Sequence, residues 1–556
     1  MPDHFAPVER APVDAPLRPR FGRYGAVVSP HGLASEAGIG VLRAGGNAVD
    51  AAVATNAVLA VVAPHGCGLG GDAFWLIWDG TQLHGLNGSG RAGAAATLDA
   101  ARAANGDRLP VRGPWSVTVP GAIRSWGDAH ARFGRLSWAD LLAPAIELAS
   151  GFPAGWSWVA AVERSLAVFG ATSDWARAFR AHGRAWREGE IVVVPGLAAT
   201  LRRLAEDGPS SPYTGSLASR AATYLASRGS PLAADDLAGH TSTWTTPIRT
   251  SYRDVEATSH PPNSCGPIAL QLLNVLARVE APPPSVFDGH GVADADWVHM
   301  GLEAGRATLA ERERWLTDAD AMATGALDGM LSDARAEALL AGIDRQRARL
   351  PAAAVDGPAG GGTVYLATAD RRGGVVSLIE SNYLGFGSGL VDPETGIGYQ
   401  NRGASFSLHA SHMNVLAPGK RPMHTLTPGM LFRDGRPWVV HGSMGGEIQP
   451  QVFAQVVSGL VDGGLDVATA VAAPRWAADM PDHHAPPDLT AIESRYHADV
   501  IAGLRERGHR VDIRRPFDAG LGHAHAIELR YDVDTALPSA FAAATDPRSE
   551  GAPGVW

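Results

Sequence analysis

Residues 352–362 read "AAAVDGPAGGG", a run of alanine, glycine and proline that sets no fixed shape of its own. This stretch divides two different patterns. From Pro120 to about Leu350 the chain is mostly helical, as in "WADLLAPAIELASG" and "AEALLAGIDRQRARL", with loops such as "DGPSSPYTGS" between. Beyond it the apolar residues alternate: "TVYLATAD", a turn at Arg371 to Gly374, then "VVSLIESNY", which predicts a β-hairpin. The first part has too few strands to close a sheet alone. A layered mix of helices and strands around one continuous core is therefore expected, rather than a domain boundary at the linker.

Other elements are legible. Val27 to Ala63 predicts two helices, with Gly45-Gly46 stopping the first and Asn47 capping the second. "GGDAFWLIWDG" and "QLHGLNGSGRA" predict strands joined by a turn at Asp79-Gly80. Later come "TPGMLFRDGRPWVVHGS" with a turn at Asp434-Gly435, the helix "QPQVFAQVVSGLVDGG" and the strand "AHAIELRYDV".

Composition narrows the function. At 556 residues, 45% apolar and net charge −10, the chain can bury a large core and has no general attraction for nucleic acid. Two cysteines, Cys67 and Cys265, exclude a disulfide framework and a four-cysteine zinc site. Cys67 reads as a small buried thiol. Residues 1–22 read as an unordered, Pro-rich lead-in without a signal-peptide core. The most apolar run, Ala51 to Ala63, is too short for a membrane span. The expectation is a cytoplasmic protein with no membrane or nucleic-acid partner. His483-His484 and the pair His523 and His525 lack carboxylate or cysteine companions at ligand spacing, so no metal is expected. "GCGLGGD" follows a helix instead of opening one, which argues against a dinucleotide loop.

Thr363 follows Gly360 to Gly362 directly. A threonine hydroxyl is a weak nucleophile until a base takes its proton. Cutting the Gly362–Thr363 bond would give Thr363 a free α-amine, with a pKa of about 7.7–8.0, able to act as that base. The glycines let the Thr363 hydroxyl reach the Gly362 carbonyl, so an N-to-O acyl shift could open the chain.

Several segments together resemble the γ-glutamyltransferase family of N-terminal-nucleophile hydrolases. They are "GGNAVDAAVATNAVLAVVAPHGCGLGGDAFWLIWDG", "WSVTVPGAIRSW", "HPPNSCGPIALQLLNVL", "GGGTVYLATAD", "SNYLGFGSGLVDPETGIGYQNRGASFSL", "KRPMHTLTPGMLFRDGRPWVVHGSMGGEIQPQ", "AAPRWAAD" and "ATDPRSEG". The likeness covers nearly the whole chain beyond Arg23. It implies an α+β fold, a four-layer αββα sandwich, made as one precursor without metal or organic cofactor. Self-cleavage would leave a large chain, residues 1–362 (ordered from 23), and a small chain, residues 363–556. These stay associated, and the αβ units can pair further.

The resemblance also implies roles. Thr363 matches the nucleophile, and Ser381 stands where a second threonine usually bonds it. Gly445 and Gly446 match the pair whose N–H groups form the oxyanion hole. The substrate-binding positions depart from the γ-glutamyl pattern. Ser89 stands at the place of a carboxylate-binding arginine, with Arg91 two residues on. Ser405 stands at the place of an amine-binding aspartate. Arg402 replaces a neutral amide, and His424-Thr425 replaces a serine pair.

A pocket with arginine and no aspartate suits a carboxylate without a neighbouring ammonium. The expected activity is therefore an amidase or acylase on a small carboxylate-bearing amide, oxamate or glutaryl-type. One alternative is a γ-glutamyl hydrolase or transpeptidase acting on glutathione-like substrates. Another, of a different class, is an uncleaved binding protein, since Gly362 and Val364 flank Thr363 where the family commonly differs.

Overall fold

The computed structural model describes residues 17–180, 183–349, 361–479, 489–532 and 535–556. Two seven-stranded sheets dominate it, each with every neighbouring pair antiparallel. The first runs Gly554–Val555, Gly25–Val28, Gly362–Asp370, Val375–Tyr383, Asp72–Trp78, Leu83–Gly88, Thr243–Thr245. The second runs Arg20–Gly22, Pro538–Thr545, His523–Tyr531, Arg436–Met444, Gly429–Arg433, Val255–Ser259, Ile248–Tyr252. Each sheet takes strands from both sides of the 352–362 stretch. The shortage of strands in the first part is met in this way.

The period-two patterns decide what lies between the sheets. Tyr365, Ala367 and Ala369 point inward and pack with Phe74, Leu76, Met430, Val440, Ile527 and Phe541. Val364 and Leu366 point the other way, onto α2 (Ala48–Val62), which lies beside α1 (Gly32–Arg43). Every residue of α2 is buried, so no polar face is needed. Each buried Val or Leu is worth roughly 1.5–3 kcal/mol, and that packing holds the helix. Its start is fixed by a capping box in which Asn47 and Asp50 bond each other's backbone. On the far side of the second sheet, α3 (Gly266–Ala277) and α5 (Gln449–Val461) cover Leu431, Val439, Ala524 and Ala526. The long α4 (Ala295–Trp315) packs against α3 and reaches that core through Ala304.

Three expectations change. Val27 and Val28 end a strand, and the first helix starts only at Gly32. The stretch read as helical holds three strands between Thr243 and Ser259, where β-branched residues alternate too briefly to stand out. The lead-in read as unordered through residue 22 contributes the edge strand Arg20–Gly22, paired with Phe541–Ala543. The 352–360 part of the linker lies outside the described residues, as do His483 and His484. Among the described residues no helix is long and apolar enough to cross a membrane.

The two C-terminal motifs meet in a buried charge network. Arg475 and Arg548 both bind Asp546, and Arg548 Nε donates to Glu493 at 2.7 Å. Asp546 also accepts the Ala524 N–H at 2.8 Å, which pins the His523–Tyr531 strand. Burial alone would raise the Asp546 carboxyl, but the two arginines and the amides hold it well below the usual carboxylate range. A depressed folded pKa adds stability above the unfolded value of about 3.9 and loses it as pH falls. Asp546→Asn should therefore destabilise the protein by about 3–5 kcal/mol at pH 7, because it leaves buried arginines underpaired. In urea unfolding, the gap to wild type should narrow below about pH 4.

Candidate active site

The site forms at one end of the space between the sheets. In the first sheet Thr363 pairs with Ser381, and Ser381 pairs with Asp72 on its other side. These three side chains form a row on the inward face, beyond the apolar core. Thr363 and Ser381 are buried at 3% and 1% exposure. Their oxygens lie 2.9 Å apart. Ser381 Oγ is 2.8 Å from the Gly362 carbonyl and accepts the Tyr383 N–H at 2.7 Å. A hydroxyl donates one bond and accepts two. Because Ser381 gives its proton to Gly362 O, the Thr363 hydroxyl must donate to Ser381. The arrangement joins the attacking oxygen, through one serine, to the carbonyl it would attack.

Local packing holds the Gly362 peptide in place. A Cβ on Gly362 would lie 2.7 Å from Gly385 N and 2.9 Å from His65 O, so only glycine fits. Gly66 sits as closely on the other side, against Thr363 and Val364. The loop at residues 64–68 is tied down by the residues flanking Ser381. Glu380 accepts the Gly68 N–H at 2.9 Å, and Asn382 Nδ2 donates to Cys67 O at 2.8 Å. Arg112 donates to the carbonyls of Leu384, Gly385 and Gly387. Burial raises the Glu380 carboxyl to about 8 and the Cys67 thiol well above its ordinary value. Cys67 is thus the inert buried thiol expected. Tyr383 keeps φ 75°, a costly conformation for a bulky residue that its pairing with Gly362 enforces.

Gly445 and Gly446 follow the Arg436–Met444 strand directly and precede α5. Their φ values, 153° and 57°, require glycine. A Cβ on Gly361 would lie 3.1 Å from Gly446 N. The amide corner therefore faces the chain just before Thr363.

Arg402, Ser405 and Thr425 come together beside Tyr383. Arg402 is 1% exposed; it donates to Thr425 Oγ1 at 3.0 Å and Ser405 Oγ at 3.3 Å, and its guanidinium lies 3.6 Å over the Tyr383 ring. Its Nε has no hydrogen-bond partner, and among the described residues it forms no salt bridge. Burial lowers its pKa to about 10, so it stays charged at neutral pH. His424 is fully buried under the group, 3.3 Å from Asp72 and edge-on to Phe74. Burial and then Arg402 push its pKa well down, leaving a neutral imidazole. Arg91 does not join the group; its guanidinium reaches Thr241 O at 3.5 Å. Arg421 instead donates to the Ser89 carbonyl at 3.0 Å.

Asp72 and Arg421 were not singled out in the sequence. Asp72 accepts the Gly90 N–H at 3.0 Å, and burial raises it to about 7 against the pull of Arg402. Its signal was an acid inside "GGDAFWLIW", where a strand facing the core should be apolar. His523 and His525 are buried and neutral, each with one unpartnered ring nitrogen. A different trio, His299, Glu303 and His509, lies close enough to hold a cation. Arg306 occupies it, donating to Glu303 at 2.6 Å and to His509 Nδ1 at 3.3 Å. His509 Nε2–H then donates to His299, which donates to Asp344 O, and the cluster closes on itself.

Comparison with known proteins agrees with this geometry. Residues 34–556 match the gamma-glutamyltranspeptidase family. The chain is 37% identical over 530 residues to a glutathione hydrolase-like YwrD proenzyme of Bacillus subtilis (strain 168), covering 95% of this chain and 97% of that one. It is 36% identical over 540 residues to an oxamate amidohydrolase proenzyme of Klebsiella pneumoniae, covering 95% and 98%. The fold superposes on a cephalosporin acylase from Bacillus halodurans with TM-score 0.88 and 35% identity, over 99% of this chain and 98% of that one. The protein belongs to the gamma-glutamyltranspeptidase family of N-terminal-nucleophile hydrolases. It is a self-processing amidohydrolase made as a proenzyme.

The serine relay gives a direct test. Ser381→Ala should slow self-cleavage by about 100-fold, the usual worth of one positioned proton-transfer group. Ser381→Thr should keep most of the rate, and Gly362→Ala should block it by clash. Intact mass against time after refolding reads all three; a Ser381→Ala protein cleaving at the wild-type rate would dismiss the relay.

Proposed function

We propose that Thr363 is the nucleophile of an amidase for small amides whose acyl part carries a carboxylate, of the oxamate or glutaryl kind. The observation that carries this reading is Arg402, a buried guanidinium that among the described residues has no carboxylate partner and a free Nε. A buried cation is costly unless paired, so the pocket is complete when a substrate carboxylate arrives. The position where the resemblance places an amine-binding aspartate is Ser405, already bonded to Arg402. An ammonium there would face a guanidinium. This disfavours γ-glutamyl substrates, although one relative bears a glutathione hydrolase-like name.

The precursor first cuts itself between Gly362 and Thr363. Thr363 Oγ1 attacks the Gly362 carbonyl carbon, its proton passes to Ser381, and Ser381 passes its own to the carbonyl oxygen. The C–N bond then breaks as that proton moves from the adduct's hydroxyl to the Thr363 nitrogen, which re-forms the carbonyl as an ester and frees the amine, and water hydrolyses the ester. Residues 363–556 remain bound to the preceding chain in a four-layer αββα sandwich. In turnover the free amine takes the Thr363 proton, Gly445 and Gly446 N–H groups hold the oxyanion, and the leaving amine takes the proton. Water then releases the acid.

The test begins with intact masses of wild type and Thr363→Ala, where only the wild type should give two chains. Ammonia release from oxamate and anilide release from a glutaryl anilide should then exceed release from a γ-glutamyl anilide. Arg402→Met should lower kcat/KM for the carboxylate substrates by roughly 10- to 100-fold, the worth of a hydrogen bond to a charged group. Preference for the γ-glutamyl anilide would reverse the assignment.

A further inference from the structure

The two glycines of the oxyanion corner carry no side chains to hold them, and their backbone is unusually free when unrestrained. Glu447 follows Gly446 directly and lies in the middle of the turn Gly446–Ile448. Its carboxylate meets the guanidinium of Arg312, near the end of α4. The side chains are 2% and 9% exposed, so water screens the pair little. The other arm of the Arg312 fork bonds Glu313, with Nη2 at 2.6 Å and Nε at 2.8 Å. Both edges of the rigid guanidinium are thus engaged, which fixes its direction. On the opposite side of the corner, Gly522 lies against Met444 and Gly445, and its carbonyl accepts from Arg475.

We infer that the Arg312–Glu447 pair is a clamp that positions the Gly445–Gly446 amides, so that a residue from the far side of the cleavage point completes the oxyanion hole. Arg312 precedes Thr363 in the chain and Glu447 follows it. After processing the pair links two separate polypeptides. Neither residue touches the reacting atoms; both act through the backbone of the turn. The inference rests on reading Gly445 and Gly446 as the oxyanion donors.

The test uses four variants of the full protein: Arg312→Met, Arg312→Lys, Glu447→Gln, and the double Arg312→Met/Glu447→Gln. The double variant removes both buried charges together and so avoids the lone charge that could unfold a single. Turnover is measured on p-nitrophenyl acetate, an activated ester that needs the oxyanion hole but carries no carboxylate for Arg402. The double variant should fold with a near wild-type thermal midpoint while kcat falls by about 10- to 100-fold, short of or equal to losing one oxyanion donor. KM should change little, Arg312→Lys should recover part of the rate, and the double should be no slower than the worse single. Hydrogen exchange of the peptide spanning Gly445 to Ile448 should quicken about tenfold in the double variant. Unchanged kcat in a folded double variant, or unchanged exchange in that peptide, would overturn the clamp. If wild type hydrolyses the ester but neither oxamate nor glutaryl anilide, the substrate reading fails and the clamp stands.

Discussion

One hydroxyl, that of Ser381, sits where the whole arrangement converges. It accepts from Thr363 and from the Tyr383 amide, and it donates to the carbonyl of Gly362. Those bonds require a register in which Thr363 and Ser381 lie opposite each other, with the strand bent where Gly362 turns off. The register requires the inward packing of Tyr365 and Ala367, because a slip of one residue would turn Thr363 toward α2. The glycines at 66 and 362 let the backbone close around that point, and Gly446 turns the chain beside it with a positive φ.

The buried arginines divide by what they meet. Arg475 and Arg548 face carboxylates and close a structural network. Arg421 and the half-buried Arg112 donate mainly to carbonyls and hold loops. Among the described residues, Arg402 meets hydroxyls and an aromatic face. Hydroxyls orient a guanidinium without neutralising it, so the charge remains available. Asp72, the nearby acid, makes no salt bridge with it among the described residues, and burial raises that carboxyl to about 7, so it only partly offsets the charge at neutral pH.

Much of this was legible in the sequence. The three hairpins and the capped α2 each carry local signals, and they stand where expected. The strands between Thr243 and Ser259 were missed because they are short and embedded in helical surroundings. Asp72 and Arg421 were missed for a different reason. Their roles come from burial and cross-strand neighbours, and neither is visible in local spacing. Arg91 shows the converse: it lies near Ser89 in sequence, yet its side chain turns to Thr241, while Arg421, over three hundred residues away, takes the place beside Ser89.

The interleaving of the sheets has a consequence for the enzyme's life history. Strands from before and after the 352–362 stretch pair directly at three seams in one sheet and two in the other. A chain cut in that stretch gives pieces that cannot part without unravelling both sheets. The cut form was assembled while the ends were joined, and it inherits an arrangement that its separated pieces would have to find by bimolecular encounter. Its durability is thus set by how slowly it opens, and the precursor's continuous chain acts as a folding template used once and then discarded.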